Sequence, residues 1–194
     1  MKIAYILFDG ITLLDFIGIY DPITRLKYHD FIPDLEWHTC SFTKNPKDSF
    51  GLTIPTDKVK KSLKDYDMII IPGGYGTRDL ENNPAFIKWL QTAKSTSYKV
   101  SICTGSLLLG AAGFLKGRKA TTHFDEYENL APYCALVEEA RIVEDHNIIT
   151  AGAVASSIDL GLYLCEKFAG SKATKIIQQR MNYRPEYMKI TKYK

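Results

Sequence analysis

The sequence predicts an α/β protein, a three-layer sandwich with helices on both faces of a mostly parallel sheet. Continuous apolar runs bounded by turn residues are typical of strands buried on both faces. Segments of helical period separate these runs, and this alternation favours a parallel sheet covered by helices. No Pro/Gly/Ser-rich linker divides the 194 residues, so we expect a single domain, residues 1–194.

The apolar runs place the strands. Central strands are predicted at 3–8, 68–74 and 98–103, a half-buried strand at 35–42 and a hairpin at 141–150. Helices are predicted at 13–27, at 84–94, directly after Cys103, at 153–170 up to Gly170, and from Ser171 onward. In the first helix, Leu14, Ile17, Tyr20 and Ile23 would share one face.

Composition excludes several classes of protein. Twenty-five basic and 22 acidic residues give a net charge of +3, too balanced for a nucleic-acid partner. The first ten residues are too short for a signal peptide, and no apolar stretch reaches the length of a membrane span. The four cysteines are far apart and lack metal-ligand spacing, so we expect no metal, no cofactor and no disulfide. These features predict a cytoplasmic protein without a membrane partner.

Cys103 stands where a predicted strand becomes a helix without a loop, in "KVSICTGSLLLGAAGFLKG". Enzymes often carry a nucleophile at such a turn, and a helix N-terminus favours a thiolate over a thiol. The ordinary alternative is a small core residue, because free cysteines are among the most buried residue types. The local pattern leaves both interpretations open.

Further candidates follow the neighbouring strands, where open α/β sheets bind ligands. Asp15 beside Cys103 would share a proton with the thiol, although an aspartate at this place also fits a helix cap. Backbone N–H groups of Gly74, Tyr75 and Thr104 are candidate oxyanion donors, although the glycines also fit a simple turn. The nearby His123 would serve as a base or as a supporting residue behind the site.

Together these stretches resemble the ThiJ/PfpI family of the class I glutamine-amidotransferase-like superfamily. The matching segments are "ILFDGITLLDFIGIYDP", "IIIPGGYGT", "VSICTGSLLLGAAGFLKGRKATTHF" and "IITAGAVASSIDLGLYLCEKFAG". The resemblance implies a flavodoxin-like, class I glutamine-amidotransferase-like fold with Cys103 on a nucleophile elbow. It also implies a homodimer, which the spread of Phe16, Ile19 and Tyr20 over more than one helix face favours. A neighbouring helix of the same chain is the alternative cover for these residues.

Within that family the sequence departs from the protease- and chaperone-like branches. Those branches usually carry glutamate in place of Asp15, and many proteases carry histidine in place of Thr104. The combination of Asp15, Cys103 and Thr104 is similar to the isonitrile hydratase branch, which converts an isocyanide and water into an N-substituted formamide. The resemblance implies that Cys103 attacks the isocyanide carbon, Asp15 handles the proton and Thr104 positions the reacting group. Oxyanion or substrate contacts are expected from Gly74, Tyr75 and His123.

Other functions remain open from the residues. The same pattern occurs in amidotransferase-like domains of AraC-type regulators, where the domain senses a ligand without catalysis. A redox-sensing thiol and an intracellular protease or amidase are further alternatives. The chain stops soon after "QQRMNYRPEYMKITKYK", so we expect no DNA-binding region of about a hundred residues. The first prediction is a cysteine-nucleophile enzyme acting on a small C–N substrate, in a pocket walled by Ile11, Ile17, Tyr75 and Phe124.

Overall fold

The computed structural model describes residues 1–184 and 190–193 of the chain. The strands are β1 (Lys2–Leu7), β2 (Glu36–Ser41), β3 (Lys58–Val59), β4 (Met68–Ile71), β5 (Tyr98–Ile102), β6 (Lys119–Ala120), β7 (Leu136–Val137), β8 (Ile142–Asp145), β9 (Ile148–Ala151) and β10 (Ile190–Tyr193). The α-helices are α1 (Leu13–Tyr28), α2 (Thr77–Leu80), α3 (Pro84–Leu90), α4 (Gly105–Ala111), α5 (Tyr127–Leu130) and α6 (Ser156–Arg180). Within these residues, no helix is both long and apolar enough to span a membrane.

Eight strands form one sheet in the order β10-β8-β9-β5-β4-β1-β2-β3. All neighbouring pairs are parallel except the hairpin of β8 and β9. The central strands β1, β4 and β5 are almost entirely buried, as their continuous apolar runs predict. With helices on both sides of this sheet, the predicted α/β sandwich is confirmed. The carboxyl ends of β1, β4 and β5 therefore meet at one edge of the sheet.

Helix α1 buries only part of the face that Leu14, Ile17, Tyr20 and Ile23 were expected to share: Ile23 is buried. Phe16 and Ile19 are buried, whereas Leu14 and Ile17 are each almost half exposed. The cause is the packing of α1 against α6, which comes close because glycines stand at the crossing. A Cβ atom at Gly18 would lie 2.1 Å from the Ser157 hydroxyl oxygen. Which side of α1 is buried was not predictable from the helix alone, because the position of α6 cannot be read from the periodicity of α1.

The longer remaining elements follow the sequence, with adjusted ends, whereas strands β3, β6 and β7 and the short helices α2 and α5 were not predicted. The predicted hairpin is present, and α3 ends at Leu90 and continues as a 3₁₀ turn through Ser95. Gly170 interrupts α6 with a φ of 81°, so the helix break predicted at this glycine is confirmed. Strand β10, which pairs with β8 at the sheet edge, was not predicted.

Candidate active site

Cys103 forms the turn between β5 and α4. Its φ is 56°, a left-handed conformation that costs about 1–2 kcal/mol for a residue with a Cβ atom. Hydrogen bonds hold the turn: the Cys103 N–H donates to the carbonyls of Ala151 and Gly152, both at 3.0 Å. The Cys103 carbonyl accepts from the hydroxyls of Ser106 at 3.1 Å and Thr122 at 3.0 Å. Backbone strain held in this way is typical of functional turns.

Asp15 is fully buried in the first turn of α1. Its Oδ2 accepts the Gly73 N–H at 2.9 Å, and its Oδ1 has no hydrogen-bond partner among the described residues. Burial raises the pKa of Asp15 from 3.8 to about 7, although the Gly73 N–H and the Cys103 thiol both act to lower it. The carboxyl group therefore exchanges its proton near neutral pH.

The Cys103 thiol faces this carboxyl group. Burial first, and then the charge of Asp15, raise the pKa of Cys103 to about 12, while the N–H and hydroxyl of Thr104 act to lower it. The sequence suggested that the helix start would favour a thiolate, but desolvation and the neighbouring carboxylate outweigh that effect. The pair consists of a thiol beside a carboxyl group that titrates near pH 7.

Gly73 makes this close approach possible, although it was not among the predicted site residues. A Cβ atom at this position would lie 2.7 Å from the Thr104 nitrogen, 2.8 Å from Asp15 Oδ2 and 2.8 Å from Cys103 Cβ. Any side chain here would push the carboxyl group and the thiol apart. The signal in the sequence is the first glycine of "PGGYG", directly before the predicted Gly74.

Gly74 and Thr104 are joined by two hydrogen bonds. The Gly74 N–H donates to the Thr104 hydroxyl oxygen at 2.9 Å, and that hydroxyl lies 3.2 Å from the Gly74 carbonyl, to which it donates. The Gly74 N–H is therefore engaged, whereas the sequence suggested a free oxyanion donor. Of the three predicted backbone donors, the Thr104 N–H is the one that faces the Cys103 sulfur. The turn after β4 and the start of α4 are thus locked together beside the thiol.

A cleft of about 220 Å³ opens above Cys103. Its lining residues are Thr12, Gly74, Tyr75, Arg78, Cys103, Thr104, His123, Asp125, Glu126 and Val154. Tyr75 lines the cleft as predicted, whereas the predicted walls Ile11, Ile17 and Phe124 do not. Ile11 lies in the hydrophobic core, and the side chains of Ile17 and Phe124 are largely exposed outside this cleft.

His123 is on the cleft wall, and one ring nitrogen already has a partner. Its Nδ1 accepts the Asp125 N–H at 3.2 Å, which caps the short turn at 124–126. Three charged residues of the lining were not predicted: Arg78, Asp125 and Glu126. No group of three or more potential metal ligands occurs among the described histidines, cysteines and acidic residues.

An α/β sandwich with a cysteine in a left-handed strand–helix turn, opposite a buried carboxyl group, defines a class of cysteine-centred α/β proteins. The chain belongs to the DJ-1/PfpI family, whose model matches residues 1–167. This confirms the family predicted from the sequence.

Individual relatives differ in their described roles. The chain is 31% identical over 187 residues to an isonitrile hydratase of Pseudomonas putida, covering 95% of this chain and 79% of that enzyme. It is 28% identical over 182 residues to the HTH-type transcriptional regulator CdhR of Pseudomonas aeruginosa, covering 90% of this chain and 53% of the regulator. A crystal structure of a ThiJ/PfpI family protein from Pseudomonas syringae superposes with a TM-score of 0.86 at 27% identity, over 96% of this chain and 76% of the other.

Proposed function

We propose that the chain is a cysteine-dependent hydratase that converts small isocyanides into N-substituted formamides. The observation that carries the proposal is that Cys103 lies beside the buried Asp15 carboxyl group: Asp15 Oδ2 and Cys103 Cβ are each 2.8 Å from the position that a Cβ atom of Gly73 would take. The Asp15 pKa of about 7 suits proton transfer at neutral pH. The similarity to the isonitrile hydratase of Pseudomonas putida supports the same reaction. In this proposal Cys103, Asp15 and Thr104 are the catalytic residues.

An isocyanide carbon becomes electrophilic only when it gains a proton, so the reaction needs an acid and a nucleophile at one carbon. In the first step the S–H bond of Cys103 breaks, the proton passes through Asp15 to the isocyanide carbon, and a C–S bond forms. The product is a thioimidate on the cysteine. Water then adds to that carbon, the C–S bond breaks, and Asp15 returns a proton to the sulfur as the formamide leaves.

Thr104 and the cleft residues support these steps. The Thr104 N–H faces the sulfur, where it stabilises negative charge as the S–H bond breaks. The Thr104 hydroxyl is fixed by Gly74, which holds the start of α4 in place. Tyr75 and His123 line the cleft and are proposed to contact the substituent of the substrate.

Turnover of simple alkyl isocyanides by the purified protein tests the proposal. We expect loss of the isocyanide infrared band with matching formation of formamide in the proton NMR spectrum. Absence of turnover across a panel of alkyl and aryl isocyanides would exclude the hydratase. A ligand-sensing role, which the similarity to CdhR favours, would then be the better account, and calorimetric binding of an unreacted isocyanide would support it.

We also propose a homodimer, through a surface different from the predicted one. Phe16 and Ile19 are covered by the same chain, so they no longer argue for a partner. Leu14 and Ile17 remain almost half exposed on α1. Phe50 is 96% exposed and follows Lys47, whose carbonyl accepts the Gly10 N–H. Contiguous exposed apolar side chains are typical of interaction surfaces, and in this proposal Leu14, Ile17 and Phe50 belong to the dimer contact.

Light scattering is expected to give about twice the chain mass of 22.0 kDa at micromolar concentration. Ile17→Lys is expected to shift the protein toward the monomer, because it places a charge in the apolar contact. Tyr28→Lys, an exposed site at the far end of α1, is the matched control. A wild-type monomer would contradict the proposal.

A further inference from the structure

An ion pair joins two of the segments that line the cleft above Cys103. Arg78 belongs to α2, after the glycine-rich turn, and Glu126 belongs to the turn at 124–126. Both side chains line the cleft, and Arg78 Nη2 donates to Glu126 Oε1. The Arg78 side chain is 46% exposed and that of Glu126 only 7%, so the pair runs from the protein interior toward solvent.

Further contacts fix both partners. Glu126 Oε2 accepts the Asn129 side-chain amide at 2.6 Å, so both carboxylate oxygens are engaged. The Arg78 guanidinium lies 5.1 Å from the centre of the Tyr75 ring, within cation–π range. A nearly buried carboxylate needs such a partner, because an unpaired buried charge is strongly destabilising. The ion pair is therefore a permanent part of the cleft wall.

The pair limits both the volume and the charge of the cleft. Glu126 neutralises Arg78, and Asp125 adds a further negative charge to the same wall. The Arg78 and Glu126 side chains thus occupy space at the cleft wall, and the charged lining has no net positive charge; both features disfavour bulky substituents and carboxylates.

We propose that the Arg78–Glu126 ion pair is a specificity determinant that restricts the cleft to small, uncharged substrates. The inference rests on the proposed function for its isocyanide substrate class. The ion pair would, however, restrict any reagent that reaches Cys103 in the same way. The rate of Cys103 alkylation therefore tests this restriction of size and charge independently of turnover.

The size limit is tested with two maleimides. The rate of Cys103 modification by N-ethylmaleimide and by the bulkier N-phenylmaleimide is measured by quantitative peptide mass spectrometry. In Arg78→Ala we expect the ratio of the bulky to the small rate to rise about tenfold, the scale on which pocket walls discriminate size. Arg25→Ala is the matched control, because Arg25 also forms an ion pair, with Asp21 on α1, and does not line the cleft. Its ratio is expected to equal that of the wild type.

The charge limit is tested with two reagents of nearly equal size, iodoacetamide and iodoacetate. Glu126→Gln keeps the volume of the side chain and removes the carboxylate that pairs with Arg78, so the charge of the lining changes from net negative to neutral. We expect the rate of iodoacetate relative to iodoacetamide to rise about tenfold, because the lining no longer carries a net negative charge that repels an anionic reagent.

An unchanged maleimide ratio in a folded Arg78→Ala variant, or an unchanged iodoacetate preference in folded Glu126→Gln, would overturn the proposal. Thermal unfolding checks that each variant is folded. If Arg78→Ala or Glu126→Gln unfolds the protein, Arg78→Met is used in the iodoacetate test. This variant keeps most of the side-chain length without the charge, so the rate of iodoacetate relative to iodoacetamide should fall or stay low. A raised relative rate in Arg78→Met would contradict the proposal. These ratios of alkylation rates test the role of the ion pair even if the wild-type protein shows no isocyanide turnover.

Discussion

Replacing Cys103 with alanine is expected to abolish formamide formation. The thiol is the nucleophile of the proposed reaction, and among the described residues the cleft offers no second thiol. Loss of a nucleophile commonly lowers turnover by about 10⁶-fold, which places the variant below detection. The measurement is the rate of formamide formation by NMR at saturating alkyl isocyanide.

Cys134→Ala is the matched control for this prediction. Cys134 is partly buried, lies outside the cleft lining, and its thiol lies 3.6 Å from the Leu130 carbonyl. Its removal is expected to leave turnover within about twofold, as for surface changes away from a site. Turnover that survives in Cys103→Ala would refute the covalent mechanism together with the site assignment.

Asp15→Asn is expected to lower turnover by about 10²–10⁴-fold, the usual contribution of general acid–base catalysis. Asparagine keeps an oxygen to accept the Gly73 N–H but cannot carry the proton. Wild-type turnover should also fall below about pH 7, because protonation of Asp15 leaves no base for the thiol proton. Asp21→Asn, an exposed change on the same helix, is expected to keep both the rate and its pH profile.

The same substitution of Asp15 is expected to stabilise the protein at alkaline pH. Below about pH 4 the Asp15 carboxyl group is protonated in the folded and unfolded states alike. Between pH 3.8 and about pH 7 the Asp15 carboxyl group is ionised in the unfolded chain but protonated in the folded protein. The free energy of unfolding of the wild type therefore falls as the pH rises. Because an asparagine side chain has no such titration, the advantage of Asp15→Asn in unfolding free energy should grow by roughly 2–3 kcal/mol between pH 5 and pH 8. Denaturant unfolding of both proteins at these two pH values measures it.

A stability advantage that is the same at both pH values would contradict the assignment of a raised pKa to Asp15. A variant that loses turnover without this pH-dependent gain would indicate that Asp15 positions the thiol and does not exchange its proton. The two readouts thus separate the catalytic role of the carboxyl group from a packing role.

Much of the fold was predictable because it depends on local patterns. The runs in β1, β4 and β5 are continuously apolar, which is the mark of a strand covered on both faces. The tight turn at Cys103 was also readable, since the strand residues pass directly into helix formers. The buried face of α1 could not be predicted, because it depends on where α6 packs, and α6 lies more than a hundred residues later in the chain.

The candidate site divides in the same way. The order of the residues determined that Cys103, Asp15 and the glycines would follow strand ends at one edge of a parallel sheet. Only the tertiary structure decided that Gly73 binds Asp15 across 58 residues of sequence and that the Gly74 N–H is taken by Thr104. It also decided that Arg78, one of 25 basic residues, pairs with Glu126 in the cleft. The physical reason is that periodicity and turn chemistry are local properties, whereas desolvation, ion pairing and close backbone approach depend on which distant segments meet.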